Sequence, residues 1–314
     1  MIISIISDEI ANTSGMASSN AIITSGNDTA KLSQVPPTII SLNYDNGTFD
    51  QWNDCKELPE DPATGQTDTN ALTILTNPVT QGTHALNATV KDKQMDVDVG
   101  GARAELIYCD SPKHVYYFTN DEDVWYHWYT MIPKEFANPP LTLPNGTKVE
   151  KWWHLFTQWH SQAGIPAPFG VPLGLGLHEL SNGDQLIFIR VAGGVYDGTQ
   201  RCKTGGPYYV PECGFIWVEH LVKGQWYDIW LHVKWSNTTN GLVEGFVNGN
   251  PLTAVYHGET LDPNDPLYQK MYLKQGIYRH KMIDKDQFVY HDGTEIIKCP
   301  IGYKFDHVTI TCNQ

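Results

Sequence analysis

The sequence is poor in charge, and the charge it has is mostly negative. Charged residues make up 18% of the 314 residues, below the roughly 25% of an average globular domain. Lys and Arg number 21 against 35 Asp and Glu, which gives a formal net charge of −14. A general nucleic-acid binder needs a cationic surface for the phosphate backbone, so this balance argues against that class.

Long apolar runs are also missing. No stretch approaches the roughly 20 apolar residues that a membrane helix needs, so we expect no contact with a membrane. Residues 1–6 are mostly apolar but too few for a signal peptide, and the N-terminus lacks a basic region. Either a signal peptide has been removed, or the chain is made without one.

The cysteines lack the C-x-x-C spacing of common zinc sites. Two pairs are close in sequence, Cys202 with Cys213 and Cys299 with Cys312, and each could close a loop. Cys55 and Cys109 would then form the third disulfide, although six buried thiols remain the alternative. The even cysteine count favours an extracellular, secreted protein. So do the N-x-S/T sequons, which begin at Asn12, Asn27, Asn46, Asn87, Asn145 and Asn237.

Strand signals dominate the rest of the chain. Hydrophobic residues are 41% and aromatic residues 11%, which excludes disorder for most of the sequence. Short segments rich in β-branched and aromatic residues are bounded by Gly, Pro, Asn or Asp. Asn248-Gly249 and Asp292-Gly293 are typical of tight turns. The pattern predicts an all-β fold, a sandwich or jelly roll of two antiparallel sheets.

The predicted organisation has three parts. Residues 1–38 are rich in Ser, Thr, Asn and Gly and are expected to be a flexible lead-in of which only the end is ordered. Residues 39–283 carry most strand signals and are expected to form the β-sandwich domain. Residues 284–314 are expected to be an appended hairpin, closed by Cys299 and Cys312.

Three segments place polar groups on one face of a strand, because residues i and i+2 share a face. In residues 103–106, Arg103 and Glu105 face one way, and Ala104 and Leu106 face the other way. In residues 156–160, Gln158 and His160 share a face. In residues 272–278, the shared face holds Tyr272, Lys274, Gly276 and Tyr278. Gly276 has no side chain, so a polymer could approach the backbone of the strand there. Alone, each segment is typical of ordinary strands, but together they predict one polar surface.

These segments resemble the signature strands of jelly-roll polysaccharide lyases, a group that includes alginate, glucuronan and heparin lyase I-like enzymes. The matching text is Arg-Ala-Glu-Leu at 103–106, Gln-Trp-His at 158–160 and Tyr-Leu-Lys-Gln-Gly-Ile-Tyr-Arg at 272–279. The Lys-x-Gly-Ile-Tyr-Arg sequence, together with the Trp in Gln-Trp-His, is most similar to the heparin lyase and glucuronan lyase branch. The resemblance covers about residues 40–280 and implies a β-jelly roll with a concave substrate cleft.

The resemblance implies cleavage of a uronic-acid polysaccharide by β-elimination. Its implied catalytic residues are His160, Tyr278, Gln158 and Arg103. Arg103 and Gln158 would neutralise the uronate carboxylate, His160 would act as base, and Tyr278 would give a proton to the leaving oxygen. Depending on uronate stereochemistry, Tyr278 would instead act as both base and acid, with His160 helping to neutralise charge.

Further residues are expected to bind substrate. Lys274, Glu105 and Arg279 belong to or adjoin the matching strands. Trp125 and His127 share one face of another strand and could stack on sugar rings, with core packing as the alternative.

No cofactor is expected to be required, although a structural Ca²⁺ is considered. Its candidate ligands are Asp121, Asp123 and Asp45. The expected partner is an acidic polysaccharide, and the expected state is a monomer. Two other functions stay open, a non-catalytic carbohydrate-binding jelly roll and a glycoside hydrolase. The latter needs two carboxylates flanking the bond, and Glu105 lacks an obvious partner in the sequence.

Overall fold

Side chains that are alternately buried and less buried are typical of strands on the surface of a core. In Trp226–Lys234 every second side chain is buried, and the same alternation continues through Leu242–Val247. A strand turns successive side chains to opposite faces, so this pattern buries one face of a sheet. The computed structural model describes residues 34–94, 101–111, 114–138, 153–162, 171–179, 182–191, 214–263, 269–281 and 283–314.

Nearly all regular structure in these residues is strand, with one short 3₁₀ helix at Asp50–Trp52. The first strands are β1 (Gln34–Val35), β2 (Thr38–Ser41), β3 (Lys56–Glu57), β4 (Glu60–Asp61), β5 (Gln66–Thr67), β6 (Leu72–Leu75), β7 (Ala85–Val90), β8 (Gly101–Ile107), β9 (Cys109–Ser111), β10 (His114–Val115), β11 (Asp123–Met131) and β12 (Trp153–Ser161). The remaining strands are β13 (Leu173–Glu179), β14 (Gln185–Val191), β15 (Gly214–His220), β16 (Trp226–Lys234), β17 (Leu242–Val247), β18 (Asn250–Pro251), β19 (Tyr256–His257), β20 (Met271–His280), β21 (Gln287–Lys298), β22 (Lys304–Asp306) and β23 (Thr311–Asn313).

Two large antiparallel sheets form a sandwich. Within the described residues, a seven-stranded sheet has the order β15-β14-β13-β12-β20-β8-β3. A nine-stranded sheet follows the order β18-β17-β16-β11-β21-β7-β6, with β19 beside β17 and β2 beside β21. The all-β sandwich of two antiparallel sheets predicted from the sequence is confirmed.

Aromatic rings connect the two sheets within a core that is otherwise mostly aliphatic. The ring of Trp159, from the seven-stranded sheet, meets Tyr126 and Trp128 of β11 edge-on, with centroids 4.8 and 5.9 Å apart. Trp235 donates its indole N–H to the Tyr126 hydroxyl at 3.0 Å. Aromatic pairs of this kind contribute about 0.5–1.5 kcal/mol each beyond the burial of their area. The contacts fix how the two sheets stack.

Strand β21 shows that the expected boundary at residue 283 differs from the structure. This strand lies inside the nine-stranded sheet, between β11 and β7. The expected turn at Asp292-Gly293 is instead a register shift within β21. Gly293 adopts a positive φ of 57°, and the Asp292 carboxylate accepts the backbone N–H groups of Thr80 and Gln81. Such a bulge has the local composition of a turn but continues the strand.

The expected hairpin is therefore confined to the residues after β21. Strands β22 and β23 pair with each other and with β1 in a small sheet. Disulfides join Cys299 to Cys312 and Cys55 to Cys109, as expected. The expected Cys202–Cys213 bridge lies outside the described residues.

The turn at Asn248-Gly249 is confirmed, since both residues have positive φ between β17 and β18. At the end of the expected lead-in, residues 34–35 form β1 and residues 38–41 form β2. Residues 1–33 lie outside the described residues. In the part of the chain that is described, no helix is long and apolar enough to cross a membrane.

Candidate active site

Strand β20 carries the side chains of the site on one face. Leu273 and Ile277 point into the core. By strand alternation, Tyr272, Lys274 and Tyr278 therefore point to the outer face of the seven-stranded sheet, as predicted.

Neighbouring strands add the other predicted groups in register. Tyr278 lies opposite Arg103 of β8, and Gly276 lies opposite Glu105. On the other side, Lys274 lies opposite Gln158 of β12, and Tyr272 lies opposite His160. A register shift between Leu155 and Thr157 sets this pairing. Three strands that are distant in sequence thus form one polar surface.

Tyr278 and Arg103 are in direct contact. The Arg103 guanidinium carbon lies 4.1 Å from the centroid of the Tyr278 ring. The ring of Trp153, from β12, meets the Tyr278 ring edge-on at 4.7 Å. A Cβ at Gly101 would lie 2.3 Å from the Tyr278 ring, so glycine is needed there. These contacts hold the phenol beside the cationic group expected to bind a carboxylate.

Four charged groups form a cluster at the centre of this surface. One Glu57 oxygen lies 2.9 Å from Arg103 Nη1 and 2.6 Å from Lys274 Nζ. One Glu105 oxygen lies 3.9 Å from each of the same two nitrogens. Arg103, Lys274 and Glu105 are buried, whereas the Glu57 side chain is 34% exposed. Two carboxylates therefore balance two cations at a low-dielectric site.

Glu105 supports the cluster from below. It is fully buried and accepts a hydrogen bond from the Gln158 side-chain amide. Burial raises the pKa of Glu105, although Lys274 and Arg103 oppose that shift. Glu105 was expected to contact substrate; in the structure its carboxylate is buried and contacts Gln158, Arg103 and Lys274.

His160 has the features of a base. Its Nδ1 lies 2.8 Å from the Ser161 carbonyl oxygen, which can only accept, so Nδ1 carries the hydrogen. Burial, followed by the nearby Lys274 charge, lowers the pKa of His160 to about 4. The ring is therefore neutral near pH 7, and Nε2 keeps its lone pair. The Tyr272 ring is 5.2 Å away.

Core hydrogen bonds fix β20 from its inner side. Tyr44 and Thr294 both donate to the side-chain oxygen of Gln275, at 2.9 and 2.7 Å. His291 lies 2.9 Å from the carbonyl oxygen of Gly276 through Nε2. A Cβ at Gly276 would lie 2.1 Å from the Ala104 carbonyl oxygen, and its φ is +154°. The glycine thus allows β8 and β20 to approach each other beneath the site.

Arg279 is not part of this surface. It follows Tyr278 directly, so it points to the opposite face of β20. There it is buried and donates to the carbonyl oxygens of Lys91 and Lys285 and to Gln287. The expectation that Arg279 binds substrate is contradicted by this placement.

Trp125 and His127 also lie elsewhere. Both belong to β11 of the nine-stranded sheet, and their neighbours Tyr126 and Trp128 face the core. Trp125 stacks on His232 at 4.7 Å and contacts Phe305 of β22 at 5.6 Å. Trp125 thus packs between the sheet's outer face and the C-terminal hairpin, and His127 stacks on Trp230 of β16 at 3.9 Å. The structure therefore does not bring them to the surface that carries Tyr278.

The candidate calcium ligands do not converge. Asp45 accepts the backbone N–H of Thr83, whereas Asp123 pairs with His232 on β16. Asp121 accepts a hydrogen bond from Asn120. Among the described residues, no group of three or more His, Cys, Asp or Glu side chains is arranged to hold a metal ion. Calcium binding stays a prediction without a site.

Sequence reasoning missed Glu57. It lies on β3, directly opposite Glu105. The expected disulfide between Cys55 and Cys109 could have revealed it. Antiparallel strands next to that bridge place residue 57 beside residues 105–107. Trp153 was also missed, because its segment carries no motif.

Comparisons with solved structures find similar folds. The alginate lyase Aly36B matches with a TM-score of 0.52 at 10% identity, covering 84% of this chain and 98% of that chain. Alginate lyase A1-II', a member of polysaccharide lyase family-7, matches with a TM-score of 0.51 at 11% identity, covering 79% and 96%. The endo-β-1,4-glucuronan lyase of the fungus Trichoderma reesei gives 0.46 at 13% identity, covering 79% and 96%.

The two alginate lyases share the fold of this chain, a β-jelly roll. A comparison with curated protein sequences finds no match. The model of a family described as polysaccharide lyase matches residues 44–295, which is most of the chain. This protein therefore belongs to the polysaccharide lyase family.

Proposed function

We propose that this polysaccharide lyase cleaves a uronic-acid polymer by β-elimination on the surface formed by β8, β12 and β20. The observation that carries the proposal is the register of these strands, which puts Arg103 beside Tyr278 and places Gln158 and His160 on the same face. A carboxylate binder, an amide, a base and an acid are the groups that this chemistry needs.

The enzyme must first neutralise the negative charge of the substrate carboxylate. The C5–H bond is a weak acid while the neighbouring carboxylate is ionised, because removing the proton adds negative charge to the same group. Arg103 can bind this carboxylate in a bidentate manner. The buried Gln158 amide gives one N–H to Glu105, and its second N–H is the proposed donor to the carboxylate. Both would stabilise the enolate-like charge that develops.

Proton transfer then falls to His160 and Tyr278. His160 Nε2 takes the C5 proton, the C–H electron pair becomes the C4–C5 double bond, and the bond from C4 to oxygen breaks. Tyr278 gives its proton to the leaving oxygen. The tautomer of His160 leaves the Nε2 lone pair available, and the lowered pKa keeps the ring neutral near pH 7. No water is consumed, and the new chain end is unsaturated.

Glu57 supplies the second carboxylate that a glycoside hydrolase would need beside Glu105. Glu105 is fully buried and bound to the Gln158 amide, so its carboxylate is not exposed to a glycosidic bond. This burial favours elimination over hydrolysis.

We also propose that the enzyme acts outside the cell as a monomer on an acidic polysaccharide. Two disulfides support an oxidising compartment. The net charge of −14 repels a polyanion at long range, so binding would rest on the cationic groups of the site.

Ultraviolet absorbance on a panel of uronic polysaccharides tests this function, because the conjugated double bond absorbs and hydrolysis creates none. Tyr278→Phe and His160→Ala should each lower kcat by about 10²–10⁴-fold. Tyr290→Phe, on the nine-stranded sheet, serves as the control and should leave the rate unchanged. Saturated products from every polymer, or full activity in both site variants, would overturn the proposal.

A further inference from the structure

The side chain of Glu57 has no role in the elimination proposed above, yet it holds both cations of the site. A single oxygen lies 2.9 Å from Arg103 Nη1 and 2.6 Å from Lys274 Nζ. This is the kind of contact that a substrate carboxylate would make with the same groups. The free enzyme therefore presents its cations already bound to an internal carboxylate.

Glu57 is also the member of the cluster that can leave most easily. Its side chain is 34% exposed, whereas the Arg103, Lys274 and Glu105 side chains are 8%, 1% and 0% exposed. A half-exposed carboxylate regains hydration by rotating outward, but a buried one would lose its partners without gaining water.

The backbone around Glu57 is fixed, so the side chain alone would move. Strand β3 is only two residues long and pairs with β8 at the edge of the sheet. The disulfide between Cys55 and Cys109 anchors it two residues before Glu57. The carboxylate can then return to the same place when substrate leaves.

Charge balance makes this exchange selective. With both glutamates ionised, the formal charges of Arg103, Lys274, Glu57 and Glu105 sum to zero. Outward rotation of Glu57 leaves one positive charge in excess, which one substrate carboxylate neutralises. A neutral sugar offers no such compensation, so it would not displace Glu57.

We propose that Glu57 occupies the place of the substrate carboxylate in the free enzyme and is exchanged for it when a uronate binds. Glu57 is thereby a specificity residue that selects for a carboxylate-bearing sugar, at the expense of affinity. This inference rests on the proposed function, since it assumes that Arg103 binds a uronate.

Steady-state kinetics of Glu57→Gln test the exchange. The amide keeps the size of the side chain but removes the competing charge, so KM for a uronan should fall at least about threefold, by more than kcat changes. Asp54→Asn is the matched control, because it removes the same charge from the same segment. Asp54 is largely exposed and pairs with Lys56, so its variant should keep the wild-type KM.

A second measurement separates carboxylate exchange from a general gain in affinity. Calorimetry in a Tyr278→Phe background would compare binding of an oligouronate with binding of its methyl ester. Glu57→Gln should strengthen binding of the acid and leave the ester unaffected. Equal gains for both ligands would refute the exchange.

The outcomes distinguish this inference from the proposed function. A wild-type enzyme that eliminates uronans, with KM unchanged or raised in Glu57→Gln, refutes the exchange alone. A wild-type protein that cleaves no uronan refutes the proposed function itself. If Glu57→Gln does not fold, Glu57→Asp is used, because its shorter side chain weakens contact with both cations and should also lower KM.

Discussion

His154 should make the stability of the fold depend on pH in a way that can be calculated. It lies on β12 and is 2% exposed, with Nε2 2.8 Å from the side-chain oxygen of Gln287. Burial lowers the pKa of His154 from 6.5 to about 3. The unfolded chain therefore binds more protons than the folded chain between these values, so acidification favours unfolding.

The magnitude follows from the two pKa values of His154. Its share of the unfolding free energy is complete above about pH 6.5 and falls by about 2 kcal/mol between pH 8 and pH 5. In His154→Gln, which keeps a hydrogen-bonding side chain, this loss should disappear.

Urea unfolding followed by tryptophan fluorescence at pH 8, 6.5 and 5 gives the comparison. The variant's absolute stability is not the readout, because a core substitution changes it at every pH. The readout is the difference in pH dependence, in which unchanged titrating groups cancel. Equal losses in both proteins between pH 8 and 5 would refute the buried, neutral state of His154.

Three further predictions concern the site and its supports. The kcat/KM should fall as pH decreases through about 4, because protonated His160 cannot accept a proton; a midpoint near 6.5 in the pH profile would contradict the lowered pKa. Gly276→Ala should cost about 2 kcal/mol or more in urea unfolding, since its Cβ meets the backbone of β8. Gly249→Ala also has positive φ, but nothing lies within 4 Å, so it should cost less. Replacing Cys299 and Cys312 together by Ser should lower stability by about 3 kcal/mol, given a 13-residue separation. Lyase activity at a permissive temperature should persist, because the hairpin packs on the other sheet.

The alternation rule was enough to predict the shared face of Tyr278, Lys274 and Tyr272, because side-chain direction along a strand is a local property. It did not supply Glu57, whose position depends on pairing between β3 and β8, which are about 50 residues apart. Long-range pairing is set by the whole sheet rather than by local pattern.

Two expectations failed for different physical reasons. Arg279 was assigned to the site because it adjoins Tyr278 in sequence, yet consecutive residues on a strand face opposite ways. For Trp125 and His127, the shared face was predicted correctly, but a strand pattern does not reveal which sheet contains the strand. The contacts of Trp125 with Phe305 and of His127 with Trp230 show that both belong to the outer face of the nine-stranded sheet.

The position of β21 has a consequence for the order in which the protein can form during synthesis. Its residues 287–298 pair with β2 at residues 38–41, with β7 at 85–90 and with β11 at 123–131. On the ribosome, these earlier strands must wait for a partner made roughly 160–260 residues later. Contacts so distant in sequence slow folding and leave strand edges open meanwhile. A nascent chain ending before residue 287 should therefore lack the central strand of the nine-stranded sheet. Its unpaired strand edges should then be bound by chaperones.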